Sequence, residues 1–145
     1  MKISIQEIAE TEEEEILIKC HKVDENVMEI VKKVGITQKK ITGMSNEKIY
    51  NIPVNAVYYY ETVENKAFLY TKDKVFETKL KLFQFEQEFC GDNFFRASKS
   101  VVLNVSKIAY IKPSISGRFE ATLDNQEKII VSRQYVVELK RLLGM

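Results

Sequence analysis

Residues 94–108 read FFRASKSVVLNVSKI, and this stretch joins a short apolar strand to a cluster of hydrogen-bond donors. The run at residues 101–103 (Val-Val-Leu) is aliphatic and mostly β-branched, which is typical of a buried strand. Arg and Lys supply positive charge, and Ser hydroxyls can bond phosphate oxygens or base edges. The stretch therefore predicts a buried strand preceded by a donor-rich loop. The donors are Arg96, Ser98, Lys99 and Ser100.

Short runs of the same β type recur from about residue 38 to residue 131. They are rich in Ile, Val, Tyr, Phe and Thr, and turn-type residues separate them. Short strands at such spacing indicate antiparallel β-structure rather than βαβ units. The predicted strands are residues 39–42, 48–52, 56–62, 67–71, 75–78, 101–103, 108–111, 119–123 and 129–131.

Two short helices interrupt the strand pattern, at about residues 79–90 and 133–143. Residues 91–93 (Gly-Asp-Asn) end the first helix, and Ser132 is placed to cap the second. The predicted inward faces are Leu82, Phe85 and Phe89 in the first helix and Val136, Leu139 and Leu143 in the second.

The first forty residues are predicted to form a small ββα unit. Apolar and polar residues alternate at residues 3–7 and again at residues 16–20, which indicates two strands. A helix follows, because Asp24 can accept hydrogen bonds from the open N–H groups at a helix start. Gly35 marks its expected C-terminal end. Its apolar stripe consists of Val27, Ile30, Val31 and Val34.

With 145 residues, 45% of them hydrophobic, the chain has the size of one globular domain with an adequate core. The apolar runs are short and the N-terminus lacks an apolar signal segment, so neither a membrane span nor secretion is expected. Cys20 and Cys90 are too few for a disulfide framework. We therefore expect reduced thiols and a cytoplasmic location.

The net charge of +1 conceals an uneven distribution. Residues 1–30 contain nine acidic and three basic residues, whereas residues 31–145 contain 19 basic and 12 acidic residues. An acidic N-terminal segment followed by a basic remainder is typical of a protein that binds a polyanion with its C-terminal half. An asymmetric solvated surface is the alternative, and charge alone favours that alternative.

Sequence patterns for catalysis or metal binding are weak. His21 is the single histidine, and the two cysteines stand in no CxxC or zinc spacing. Neither GxGxxG nor GxxxxGK[ST] occurs. The four glutamates at residues 12–15 are more typical of a solubilising edge than of a cation site. We therefore predict a protein that is not an enzyme and uses no metal or cofactor.

Two further donor clusters lie in predicted turns, at residues 64–66 (Glu-Asn-Lys) and residues 132–134 (Ser-Arg-Gln). Gln can address adenine in a bidentate manner, and Arg can address guanine or a phosphate. Three ordinary polar turns remain the alternative interpretation of these clusters and of the loop before residue 101.

Residues 44–145 resemble a LytTR-type DNA-binding domain, which is found in many bacterial transcription regulators. The resemblance depends on four segments in the right order. Residues 94–104 match the family's F-x-R-x-H-x-S-x-x-V-N theme. The other segments are residues 52–62, residues 80–89 as the short helix, and Val131-Ser132-Arg133 at the start of the closing helix.

The resemblance implies a mainly β fold (α+β overall) of antiparallel sheets with short helices and without a recognition helix. Loops at one edge of the sheets would enter successive major grooves of double-stranded DNA and bend it. Groove contacts fall on Asn65 or Lys66, on Lys99, and on Arg133 or Gln134. Asn104 matches the family's asparagine and is interpreted as structural. The remaining candidate DNA-binding residues are Arg96 and Ser98 beside the groove contacts, and Lys107 and Lys112 at phosphates.

The sequence departs from the family pattern at Ser98, where His is frequent, at Leu103, where Val is frequent, and at Gln134, where a base is common. Many such regulators also carry a phosphoacceptor receiver domain, for which residues 1–43 are too short. We therefore expect a stand-alone regulator that needs no partner kinase. Its ββα extension at residues 1–43 would mediate dimerisation, contact another protein or complete the core.

Sequence-specific DNA binding by a bacterial transcription regulator, with a homodimer as a further expectation, is the predicted function. A protein-interaction or sensory β-module acting through the acidic N-terminal segment is the alternative. A small-ligand binder is a third class, but its aromatic residues alternate as core and cross-strand pairs do. No membrane and no small-molecule substrate are expected as partners. The aromatic residues in question are Tyr58, Tyr59, Tyr60 and Phe68.

Overall fold

The computed structural model describes residues 1–91 and 93–145, with the backbone alone at residues 36–38. Short single turns of 3-10 helix cover Val54–Ala56, Val105–Lys107, Ile115–Gly117 and Arg133–Tyr135. The helices are α1 Glu25–Gln38, α2 Leu82–Phe89 and α3 Val136–Leu142. The strands are β1 Lys40–Ser45, β2 Lys48–Pro53, β3 Tyr59–Val63, β4 Lys66–Tyr70, β5 Val75–Thr78, β6 Phe94–Arg96, β7 Val101–Asn104, β8 Ile108–Pro113, β9 Phe119–Leu123 and β10 Lys128–Val131.

The strands form two antiparallel sheets. A seven-stranded sheet has the order β2-β1-β5-β4-β3-β7-β6, and a three-stranded sheet has the order β10-β9-β8. This confirms the predicted mainly β fold with short helices. Among the residues that the structure describes, every helix is too short or too polar to traverse a lipid bilayer.

The two faces of the seven-stranded sheet bury two separate apolar clusters. Successive side chains of a strand point to opposite faces, so Tyr60 and its neighbour Tyr59 belong to different clusters. On one face Phe85 of α2 packs against Tyr60, with ring centroids 4.8 Å apart. On the other face the three-stranded sheet and α3 contribute Leu123 and Leu139, both essentially inaccessible to solvent. The alternating pattern therefore specifies a sheet that is covered on both sides.

Asn104, at the end of β7, joins three parts of the chain. Its side-chain amide donates to the buried Val57 carbonyl at 2.9 Å. Its Oδ1 accepts from the Ser106 backbone N–H at 3.0 Å and from the Ser106 hydroxyl at 2.7 Å. These contacts satisfy a buried carbonyl and cap the following 3-10 turn, in agreement with a structural role for this residue.

The predicted ends of the helices need correction. The N-terminal helix does not stop at Gly35 but continues to Gln38. Apart from the adjacent residues and the helix's own backbone, no heavy atom of the described part of the chain lies within 4 Å of a Cβ built on Gly35. Ser132 precedes the closing helical segment without a capping hydrogen bond from its side chain. Leu143 is 37% exposed rather than buried, because α3 ends at Leu142. The predicted stop of the first short helix includes Asp92, which lies outside the described residues.

The two predicted N-terminal strands are not formed. Ile3 and Ile5 are 91% and 93% exposed, and residues 1–24 contain no strand. Alternation alone cannot form a strand, because the backbone needs a neighbouring strand to pair with. The helix is present as predicted: the Asp24 carboxylate accepts from the Val27 N–H at 3.0 Å, and Val27 is buried.

Candidate nucleic-acid interface

The first predicted donor cluster lies at the tip of a tight hairpin. Glu64 and Asn65 form the two-residue connection between β3 and β4, with φ angles of 49° and 67°. Such left-handed pairs match the twist of the flanking strands, and Asn tolerates this conformation well. Lys66 follows as the first residue of β4, opposite Val63. Asn65 and Lys66 are both exposed at this tip.

The second donor cluster is the loop between β6 and β7, at residues 97–100. The Thr62 N–H donates to the Ser100 carbonyl at 3.0 Å, so this loop lies beside the end of β3 that leads into the hairpin tip. Lys99 is exposed, and the Ser98 hydroxyl accepts from the Ser100 N–H at 3.4 Å. The two clusters are therefore neighbours at one end of the seven-stranded sheet.

The third donor cluster is attached to the same loop from the other side. The Ser132 N–H donates to the Ala97 carbonyl at 2.8 Å. Arg133 and Gln134 follow in an exposed 3-10 turn. Three segments that are distant in sequence thus converge, as predicted. We call residues 64–66, 97–100 and 132–134 together the loop cluster.

A fourth segment, the loop between β8 and β9, also reaches the loop cluster. A Cβ placed on Gly117 would lie 2.8 Å from Cδ of Arg133, so the two segments are in direct contact. Between them lies an open notch of about 350 Å³, whose lining is polar and cationic. Sequence reasoning missed this loop, although a base next to predicted turn residues was an available signal. The notch is lined by Ser116, Arg118, Ser132, Arg133 and Gln134.

Three other predicted site residues are placed differently. The guanidinium of Arg96 is turned into the protein, with its side chain only 21% exposed. Lys112 is on β8, where its ammonium forms an ion pair with Glu120 at 3.2 Å. Lys107 has its Nζ 5.1 Å from the ring centroid of Tyr58, the residue just before β3. Because the hairpin tip is at the other end of β3, Lys107 lies far from the loop cluster.

The polar contacts around Lys107 form a structural joint. The Tyr58 hydroxyl donates to the Asp124 carboxylate, and the Asp124 N–H donates to the Lys107 carbonyl at 2.9 Å. The hydrogen bond to Asp124, with burial, raises the pKa of Tyr58 to about 12. The joint ties the second sheet to β3 at the end that carries none of the three donor clusters.

The exposed cations of the loop cluster and its notch are Lys66, Lys99, Arg118 and Arg133, with Glu64 as a nearby carboxylate. The segments present amide, hydroxyl, ammonium and guanidinium donors on one surface, which is the inventory that phosphates and base edges require. Among the described residues, no group of three or more His, Cys, Asp or Glu side chains is arranged to hold a metal ion.

Comparison with known proteins gives consistent matches. The family described as LytTr DNA-binding domain matches residues 47–144. The transcriptional regulatory protein YpdB of Escherichia coli K12 is 28% identical over 106 residues, which are 72% of this chain and 43% of YpdB. The sensory transduction protein LytT of Bacillus subtilis is 26% identical over 130 residues, or 90% of this chain and 54% of LytT. The chain thus spans about half the length of the curated relatives that it matches.

A solved structure is also similar. A LytTr DNA-binding domain from Bacillus cereus superimposes with a TM-score of 0.69 at 27% identity. The superposition covers 74% of this chain and 99% of that domain.

Proposed function

Because the chain belongs to the LytTr DNA-binding domain family, we propose that it binds double-stranded DNA sequence-specifically and regulates bacterial transcription from the cytoplasm. The loop cluster would enter successive major grooves. The observation that carries the proposal is the convergence of the three donor segments, held by the bonds from Thr62 to Ser100 and from Ser132 to Ala97.

The chemistry of the loop cluster suggests a division of roles. Amides such as Asn65 and Gln134 suit adenine, whereas Lys99 and Arg133 suit guanine. Lys66 at the hairpin tip would contact a phosphate. Phosphate contacts supply most of the affinity and make it fall with salt, while the few base contacts set the sequence preference.

The notch adds two residues to the candidate DNA-binding residues of the loop cluster. Arg118 and the Ser116 hydroxyl flank Arg133 in an exposed cationic recess, where a backbone phosphate could be held by charge-assisted hydrogen bonds. Lys112 lies close to this loop along β8 but is already paired with Glu120. We therefore expect Arg118→Ala to weaken DNA binding more than Lys112→Ala.

The test is a set of titrations against a duplex selected from a random pool and against its scrambled sequence, over a range of salt concentrations. Lys99→Ala is expected to weaken binding to both duplexes because a cation is lost, and to reduce the preference between them because a base contact is lost. Arg133→Ala and Gln134→Ala should also reduce that preference. Lys107→Ala is the matched control, because it removes the same charge at the far end of β3. Equal affinity of the Lys99 and Lys107 variants would contradict the proposal.

We further propose that residues 1–43 form an extension to a DNA-binding domain at residues 44–145, although β1 crosses that boundary, and that two copies bind a repeated site. The observation in favour is the acidic extension, whose Ile3 and Ile5 are almost fully exposed. Light scattering of the full chain should show a dimer, and Ile3→Ser with Ile5→Ser should give a monomer. A monomeric wild type would refute this part.

The alternative, a protein-interaction module acting through the acidic segment, makes a different prediction. It requires DNA binding that is absent or independent of salt. The proposal that the chain acts by binding rather than by catalysis agrees with the DNA-binding family to which it belongs.

A further inference from the structure

We propose that Arg96 does not touch DNA but is a positioning residue that fixes the loop at residues 97–100; this inference rests on the proposed function. The Arg96 Nε–H donates to the Ser98 carbonyl at 2.6 Å, and Nη2 donates to the Lys99 carbonyl at 2.5 Å. Both acceptors are main-chain atoms of the loop that carries the exposed Lys99 ammonium. The guanidinium therefore determines how this loop presents Lys99.

The remaining side of the guanidinium is held by two other elements. Nη1 lies 3.3 Å from each carboxylate oxygen of Glu86 on α2. The guanidinium carbon also lies 5.9 Å from the ring centroid of Tyr135, in the turn that precedes α3. Arg96 thus connects α2, the loop and the segment containing Arg133.

These contacts leave little donor capacity for DNA. Each of the three guanidinium nitrogens of Arg96 already has an acceptor, and the side chain is 21% exposed. To bind a phosphate through two parallel N–H groups, Arg96 would have to abandon at least one of these acceptors, which are the Ser98 and Lys99 carbonyls and the Glu86 carboxylate. A planar fork with five N–H donors can hold three acceptors at once, whereas a Lys ammonium at the end of a flexible chain cannot reproduce that geometry.

The experiment measures affinity for the selected and scrambled duplexes as a function of salt for Arg96→Lys and Glu86→Gln. Arg96→Lys keeps the charge, so the positioning role predicts about a tenfold loss of affinity for the selected duplex, with affinity for the scrambled duplex and the salt slope unchanged. If Arg96 instead contacted a phosphate, the Lys ammonium would keep that charge beside the DNA backbone, and the affinity for both duplexes would stay near the wild-type value.

For Glu86→Gln, the positioning role and the net charge predict opposite changes in DNA affinity. From net charge alone, removing a negative charge from a DNA-binding protein should strengthen or preserve binding. The positioning role predicts weaker binding to the selected duplex, because Arg96 loses its ionic partner. Glu88→Gln, at an exposed position of the same helix, is the matched control and should retain that affinity.

The outcomes are distinguishable. Non-additive losses in the Arg96→Lys/Glu86→Gln double variant would support the positioning role, since coupled residues show an interaction free energy. Unchanged preference in both single variants, or a reduced salt slope for Arg96→Lys, would overturn it. If Arg96→Lys fails to fold, Glu86→Gln decides alone. A wild type without sequence preference would refute the proposed function itself.

Discussion

Replacing Asn104 by Ala tests how the fold closes around β7. Asn104 is 1% exposed, and its amide is a donor to the Val57 carbonyl, itself in a residue with no accessible surface. The variant leaves this carbonyl without that donor and leaves the Ser106 N–H without its cap. The site lies at the end of β7 away from the loop cluster.

The expected loss of stability in Asn104→Ala follows from the two hydrogen-bonding roles that the variant removes. A buried carbonyl that loses its donor costs about 1–3 kcal/mol, and removing a side-chain cap costs about 1 kcal/mol. We expect the free energy of unfolding to fall by about 3 kcal/mol, a large share of the stability of an ordinary domain. Ser106→Ala removes only a hydroxyl that donates to the same Oδ1, and it should cost less than about 1 kcal/mol.

Urea unfolding followed by circular dichroism measures both variants. The expected result is a lower midpoint for Asn104→Ala with an unchanged dependence on urea, and DNA affinity within about twofold of wild type under conditions where the variant is folded. A loss of stability below about 1 kcal/mol would show that the Val57 carbonyl has another donor, and the reasoning would be wrong.

Four further results are expected. Gly43→Ala should lower the free energy of unfolding by about 1–3 kcal/mol in the same urea assay, because its Cβ would lie 2.7 Å from a core side-chain carbon. Gly35→Ala, in a helix with open space around it, should instead raise that free energy by about 0.5–1 kcal/mol. The pKa of Tyr58 is raised from 10.0 to about 12, so its contribution to stability is complete below pH 10 and is lost as the pH rises towards 12. Tyr58→Phe should make the alkaline decline measured by circular dichroism less steep, and an equally steep decline would contradict this. Cys20 is exposed, whereas burial raises the pKa of the Cys90 thiol to about 12, so a thiol reagent at pH 8 should label Cys20 first by mass spectrometry. Faster labelling of Cys90 would contradict the packing around α2.

Two strands could be predicted to the residue because runs of β-favouring residues, bounded by turn-type residues, specify them. The run at residues 119–123 matches β9 residue for residue, and the run at residues 75–78 matches β5. The turn at Glu64 and Asn65 was also predictable, since Asn is suited to a left-handed position in a two-residue hairpin. In these segments local preference and tertiary packing agree.

Other strands and site residues depend on which segments of the chain lie next to them in the fold, and the local sequence pattern does not show this. Residues 94–96 form β6 only because β7 offers them a paired edge, and three residues are too few to show a period. Residues 3–7 have the period but no neighbouring strand, so they stay exposed. Arg118 joins the candidate site because the loop after β8 reaches Arg133, a contact set by the second sheet.

Arg96 shows the limit of reasoning from residue type. A cation beside Ser98 and Lys99 in sequence suggests a DNA contact, but its guanidinium bonds to their carbonyls and to Glu86 instead. The direction of a side chain depends on what its strand and the nearby helix present to it. That information is in the packing rather than in the local sequence.

Main-chain hydrogen bonds and the inward side chain of Arg96, rather than outward side chains, fasten the hairpin tip and the closing turn to the loop at residues 97–100. The outward side chains at Lys99, Arg133 and Gln134 can therefore be exchanged without dismantling the framework beneath them. Under the proposed function, single substitutions at these positions would change the preferred DNA sequence and leave folding intact. A library randomised at these three positions should yield many well-folded proteins with divergent target sequences.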